Sequence, residues 1–270
     1  MKKALATFLL FSTALATAQP DGGDWDTYQM TVNGRPVSVM VDLSLKESVS
    51  ARERPFALII RVAIAAPMEN GLPDRREAAR LDSLEEALVA SLASSNAAVY
   101  AGRFTQRGLR VFHFFSADTA GYAAALWKAF TPLPGLQWLA RAVHDPQWSN
   151  YTEVLFPPPD MLERIQSRRT VERLQAAGDE LKQPRRIDHH FHFPTSEARS
   201  RFVKATAAMG LSLAGIPETP ETGGSLPWYL HAYHQDVPDE GYIERMVMPL
   251  WQEARRQGGR YDQWAAAVLR

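Results

Sequence analysis

Ile187-Asp188-His189-His190-Phe191-His192-Phe193 is the stretch on which the fold reading turns. Successive side chains of a β-strand point to opposite faces, so His189, Phe191 and Phe193 share one face and His190 and His192 the other. Two phenylalanines mark the side packed on helices, which leaves the second pair of histidines on an open side. The following residues continue in the same manner. Ser196 to Met209 reads as a helix, Leu211 to Gly215 as a short strand and Pro217 to Gly224 as a loop. Trp228 to His234 is a strand, Asp239 to Gln257 a helix kinked at Pro249, and Tyr261 to Ala266 a closing strand. The order is strand, helix, strand, strand, helix, strand.

Upstream the same order recurs. Thr27 to Val32 and Arg35 to Leu43 flank Asn33-Gly34, a strong hairpin signal. Phe56 to Ile64 follows as a central strand. Pro73 and Asp74 introduce a helix whose apolar stripe is Leu81, Leu84, Leu88 and Leu92. A second hairpin spans Val99 to Phe115 and turns near Gln106-Arg107-Gly108; Thr119 to Phe130 is helical and Gln137 to Val143 a strand. Asp145-Pro146 reads as an N-cap with proline at the first helical position, and Trp148, Tyr151 and Leu155 lie behind it as core residues. Met161 to Lys182, arginine-rich and helical in composition, reads as a connector. The expected division is a domain over 24–157, a helical linker over 158–183 and a second domain over 184–270.

Lys2 and Lys3 precede an uncharged run from Ala4 to Ala16 that ends in Ala16-Thr17-Ala18, the layout of a secretory signal peptide cleaved after Ala18. The run is too short for a permanent anchor, and no later stretch is long and apolar enough to be one. The expected location is the periplasm or the exterior, with no membrane anchor. Lys plus Arg and Asp plus Glu number 30 each; without Lys2 and Lys3 the balance is 28 against 30. Near neutrality argues against a nucleic-acid partner, whose phosphates demand a basic surface. With no cysteine, thiol chemistry, cysteine-based zinc sites and disulfides are excluded. A hydrophobic fraction of 46% supplies a real core.

The C-terminal half resembles the regulators of ribonuclease activity of the B type. The resemblance is carried by Asp188-His189-His190-Phe191-His192-Phe193, the long helix from Asp239 and the closing Tyr261-Asp262-Gln263-Trp264, where Gln263 stands in place of the family's usual glycine. The N-terminal half is similar to an uncharacterised domain family, through Asn70-Gly71-Leu72-Pro73, Tyr100-Ala101-Gly102-Arg103 and Asp145-Pro146-Gln147-Trp148. What the first resemblance implies is a ferredoxin-like α+β sandwich and a non-catalytic role in binding and restraining an RNA-degrading enzyme. The internal repetition extends that fold to two tandem sandwiches, the first with an extra N-terminal hairpin.

In a ferredoxin-like order the two histidine-bearing strands lie side by side. Trp228, Leu230 and Ala232 then face inward and Tyr229, His231 and Tyr233 outward, so that His190, His192 and His231 meet on the open face, framed by two tyrosines. Three imidazoles can ligate zinc or copper; they also serve as cross-strand pairs on a docking face. His234 is out of phase and reads as a strand-end polar residue. Asp236, Asp239 and Glu240 read as caps of the last helix, and Arg75-Arg76, Arg168-Arg169 and Arg185-Arg186 as solvated faces. Trp148, Tyr151 and Trp264 read as packing residues. No serine elbow, phosphate loop or zinc-protease signature is present, so no catalytic residue, metal ligand or cofactor is assigned. The expected function is a non-enzymatic exported regulatory module that binds a protein partner through His190, His192, Tyr229, His231 and Tyr233. Three alternatives stand beside it: a periplasmic metal-binding protein, a cytoplasmic ribonuclease inhibitor with an unused leader, and a single-stranded RNA binder on an aromatic sheet.

Overall fold

The computed structural model describes residues 22–48, 53–215, 217–221 and 224–270; the leader read over 1–18 lies outside them. The chain divides into two compact units, Met1–Phe156 and Pro157–Arg270. Each is a mixed α+β unit built on one antiparallel sheet.

The first unit runs β1 (Trp25–Val32), β2 (Arg35–Asp42), α1 (Leu45–Ser48), β3 (Phe56–Ala63), α2 (Arg75–Asn96), β4 (Val99–Gln106), β5 (Leu109–Ser116), α3 (Tyr122–Phe130), β6 (Trp138–His144) and α4 (Ser149–Thr152). Its sheet order is β1-β2-β4-β5-β3-β6. Both hairpins close through two successive left-handed residues, Asn33 (φ 52°) with Gly34 (φ 73°) and Arg107 (φ 49°) with Gly108 (φ 75°). That conformation matches the twist of the flanking strands. Asp74 caps α2 by accepting the Glu77 N–H at 2.8 Å. Leu81, Leu84, Leu88 and Leu92 are fully buried against Leu58, Ile60, Val62, Phe112 and Phe114.

Beneath α2 lies a buried charged cluster. Arg103 donates to Glu85 at 2.5 Å, Arg110 to Asp82 at 2.6 Å, and the Tyr100 hydroxyl to Glu85 at 2.8 Å. Tyr100 and Arg103 are three residues apart yet share a face, because the β4–β5 register shifts between Tyr100 and Gly102. Gly102 sits at φ +139°, where a Cβ would lie 2.2 Å from the Met40 carbonyl oxygen, so only glycine fits this bulge.

At the end of the unit Asp145 accepts the N–H groups of Ser149 and Asn150 at 2.8 and 2.9 Å. The helix expected directly behind Asp145-Pro146 is shorter than the sequence predicts. Trp148, at φ 57°, interrupts it and leaves the single turn α4. Trp148 instead stacks on Phe115 at 3.9 Å, and the Tyr151 hydroxyl donates to the Asp42 carbonyl at 2.8 Å.

The second unit runs α5 (Pro159–Ala176), β7 (Arg185–Phe193), α6 (Ser196–Ala205), a 3-10 turn (Ala207–Met209), β8 (Ser212–Gly215), β9 (Trp228–Asp236), a π-helical turn (Ile243–Val247), α7 (Met248–Arg256) and β10 (Arg260–Ala266), with sheet order β10-β7-β9-β8. Counted from β3 and from β7, the two units share both element order and strand order, with β6-β3-β5-β4 matching β10-β7-β9-β8.

The helix expected to be a linker over 158–183 is instead part of the second unit. Val171 and Leu174 of α5 join a core with Ile187, Phe191, Phe193, Phe202, Leu230, Tyr242, Leu250 and Trp264. Ser167 of α5 accepts the Trp264 indole N–H at 3.1 Å. Arg185, expected on a solvated face, is 6% exposed and paired with the buried Asp179, whose other contacts are the Leu181 and Leu269 N–H groups. The kink expected at Pro249 takes the form of the π turn, in which the Met248 N–H bonds back to the Ile243 carbonyl. Proline cannot donate the next bond, so the ladder widens before it.

Candidate functional site

β7 and β9 are the central strands of the second sheet, paired with His190 opposite His231, His192 opposite Tyr229 and Asp188 opposite Tyr233. Alternation sends Ile187, His189, Phe191 and Phe193 into the core and leaves Asp188, His190 and His192 half-buried on the open face. From β9 the same rule places Tyr229, His231 and Tyr233 beside them. The structure therefore brings together all five residues expected to form the contact surface.

Three polar links join the face. The Asp188 carboxylate accepts His231 Nε2–H at 2.6 Å. His190 Nδ1 meets the Tyr229 hydroxyl at 2.5 Å, and its ring stacks on His231 with centroids 4.7 Å apart and planes 18° apart. His192 Nδ1 lies 2.5 Å from Asp262, with Glu221 3.2 Å from Nε2. Arg186 clamps Asp188 at 2.6 Å and lies 4.0 Å over the Tyr233 ring, while Arg260 pairs with Asp262. Burial pushes the Asp188 carboxyl up, but the bonds from Arg186 and His231 outweigh it and hold the group below the usual carboxylate range. Burial, and then the neighbouring His231, lower the pKa of His190.

Sequence reasoning missed Asp188, Asp262 and Glu221 as partners of the histidines. Asp262 reaches His192 because the β7–β10 register shifts between Tyr261 and Gln263. A signal for this was present: Tyr261 and Trp264, three residues apart, are both inward aromatics, which a regular strand forbids.

On the other side of β7 lies a second, buried set. His189 pairs with the Tyr261 hydroxyl at 2.7 Å through Nδ1 and with the Tyr242 hydroxyl at 2.9 Å through Nε2, and stacks on His234 at 5.1 Å. A neutral imidazole has one donor and one acceptor nitrogen, so one tyrosine accepts from His189 and the other donates to it. Burial, reinforced by His234, drops the His189 pKa to about 3. Burial also lowers His234 and raises Tyr242 and Tyr261. His234 is thus not the strand-end polar residue expected: β9 runs on to Asp236, and His234 points inward. Asp236 and Asp239 grip Arg245 at 3.2 and 3.3 Å and do not cap the following helix with their side chains.

The rings of His190 and His231 lie nearly parallel, so their in-plane lone pairs cannot converge on one ion. Among the described residues no group of three or more His, Asp or Glu side chains is placed to hold a metal. What the face offers is paired imidazoles, phenol rings and clamped carboxylates at one surface. The bonds described use His190 Nδ1 and His231 Nε2, and the other nitrogen of each ring has no hydrogen-bond partner among the described residues.

Residues 23–156 match the family of unknown function DUF695, and residues 164–265 match the family Regulator of ribonuclease activity B, in the order expected from the sequence motifs. The second match begins inside α5, and the compact unit that contains the open face begins just before that helix, at Pro157. Among curated proteins, none matches the chain. The crystal structure of an unknown protein from Galdieria sulphuraria is 15% identical, covers 80% of this chain and 99% of its own, and has a TM-score of 0.23. A structure carrying the name of a glycine cleavage system transcriptional repressor is 10% identical, covers 78% and 98%, and has a TM-score of 0.20. Neither score defines a shared fold.

Proposed function

We propose that the protein is a non-enzymatic regulatory module that works outside the cytoplasm and holds a protein partner on the open sheet face of its second unit. The observation that carries this reading is that the face, with His190, His192, Tyr229, His231 and Tyr233, lies wholly within the stretch matching the ribonuclease regulators. In this view both units are ferredoxin-like sandwiches, and their common strand order supports it. Export rests on Lys2, Lys3, the apolar run to Ala16 and the small residues before Gln19. Among the described residues no helix is long and apolar enough to cross a membrane.

Capture of partners by the tagged full chain, from envelope and cytoplasmic fractions separately, tests the reading. The wild type is expected to retain an envelope protein that a His190→Ala, His231→Ala variant releases. Retention of the same protein by the variant removes the open face as the contact surface. Mass spectrometry of the cellular protein tests export: Gln19 at the N-terminus supports it, and an intact Met1 in the cytoplasmic fraction refutes it. Recovery of a ribonuclease from the cytoplasmic fraction alone favours the second reading, an internal ribonuclease inhibitor.

A further inference from the structure

β6 is an outer strand of the first sheet and, among the described residues, pairs with β3 alone. The Asp145 N–H bonds to the Pro55 carbonyl and the Ala63 N–H to the Gln137 carbonyl, so the odd-numbered residues of this segment turn their backbone groups towards β3. Trp138, Ala140, Ala142 and His144 turn theirs outward. Natural sheets guard such an edge with proline, lysine, a bulge or extreme shortness. β6 carries a single full charge, Arg141, and otherwise lacks these guards: it is seven residues long, reads Trp-Leu-Ala-Arg-Ala-Val-His, and keeps an unbroken register with β3. The other outer strands differ. β8 has four residues and a register shift, β10 is bulged at Asp262, and β1 is polar at its exposed Thr27, Gln29 and Thr31.

The side chains around this edge define what it can take. On the helix-covered face Trp138 stacks on Phe130 at 4.4 Å and meets Trp127 edge-on at 5.6 Å, and Trp127 is 65% exposed. On the opposite face stand Leu139, 66% exposed, and the exposed Arg141, with Arg61 of β3 directly across from Leu139. Neither arginine has an acidic partner among the described residues. The nearby His113 is buried and held neutral, its pKa lowered to about 4, and the Asp145 carboxylate is occupied by Ser149 and Asn150. One face is therefore aromatic and the other cationic.

We propose that β6 is an acceptor edge for an extended segment of another protein in which apolar and acidic residues alternate. Docked as an added strand, the guest draws its affinity from the outward backbone groups. Its apolar side chains lie against Trp127 and Trp138, and its acidic ones reach Arg141 and Arg61. A second copy of this chain is a poorer occupant, because two-fold pairing of β6 with itself brings Arg141 against Arg141.

The test is fluorescence anisotropy of the full chain with a labelled seven-residue peptide of alternating valine and glutamate, at low salt, beside its valine–lysine counterpart. The expected result is saturable binding of the acidic peptide and binding of the lysine peptide weaker by about tenfold or more. Ala142→Pro, which removes an outward N–H that no internal ladder bond uses, should abolish binding and leave the circular dichroism melt unchanged. Arg61→Glu with Arg141→Glu should reverse the preference between the peptides. Absence of saturable binding, equal binding by the proline variant, or a dimer that the proline variant dissolves each overturns the proposal.

Discussion

Both units lay a β-α-β-β-α-β run over the same strand order, yet the polar sets that their bulges gather beneath the helices differ in chemistry. Under α2 the first unit encloses full charges, two arginines against Glu85 and Asp82. Under the π turn and α7 the second encloses neutral rings, with His189 between Tyr242 and Tyr261. In each unit a bulge brings in a member of the set, Arg103 beside Tyr100 in one and Tyr261 beside Trp264 in the other. Strand order thus fixes the frame, while the residues at each bulge make the set gathered there ionic in one unit and neutral in the other; the second unit's buried ion pair, Arg185 with Asp179, stands apart at the start of β7.

The largest expected effect breaks the ionic layer. Arg103→Met leaves Glu85 buried without its closest counter-charge and should cost the first unit about 3–5 kcal/mol. Hydrogen exchange followed unit by unit should show the loss confined to residues before Pro157; equal loss in both units would end the contrast. The neutral layer is softer. Tyr242→Phe removes the hydroxyl paired with His189 Nε2 and should cost the second unit about 1–3 kcal/mol, read from its own exchange protection.

Acid response sharpens the comparison. His189 is held at about 3 against 6.5 for a free imidazole, so the unfolded chain takes this proton first, and the associated stability, complete above pH 6.5, is lost as pH falls towards 3. Glu163 runs the other way. Burial raises it from 4.5 to about 7, so its contribution is present below pH 4.5 and is lost as pH rises through 7. Between pH 4.5 and 6.5 the two slopes oppose each other. In Glu163→Gln the stability of the second unit should gain a slope steeper by about 1.4 kcal/mol per pH unit over that window. Urea midpoints at several pH values measure it, and an unchanged slope refutes the assignment. The smallest effect lies on the open side of the same strand pair. His231→Ala loses only a half-exposed contact with Asp188 and should cost about 0.2–1 kcal/mol in a thermal melt, while weakening capture of the partner proposed for this face.

Much of this frame was legible because its signals are local. Asn33-Gly34, Asp74 before the leucine stripe and the alternation from Ile187 to Phe193 each specify their own geometry. Period-two alternation gave the face of each strand, and the ferredoxin-like order implied by the family resemblance set the two strands side by side, which together grouped the five open-face residues. What escaped depended on distant partners. Ser167, Val171 and Leu174 of α5 lie hidden among arginines, so composition concealed a helix that packs on Trp264. Arg185 looks like its exposed neighbour Arg186 until Asp179 folds back onto it. Asp262 and Glu221 become partners of His192 only through a bulge and a loop.

The widened turn at Ile243–Val247 carries a record of how the buried histidine layer is kept in place. A π turn holds one more residue than an α turn, and each helical residue accounts for about 100° of rotation. Deleting a single residue between Tyr242 and Pro249 would restore a tighter coil and swing the phenol of Tyr242 away from the imidazole it now meets. The irregularity thus serves as a phase adjuster: it lets α7 keep its apolar side on the sheet while the tyrosine at its foot stays aimed at His189.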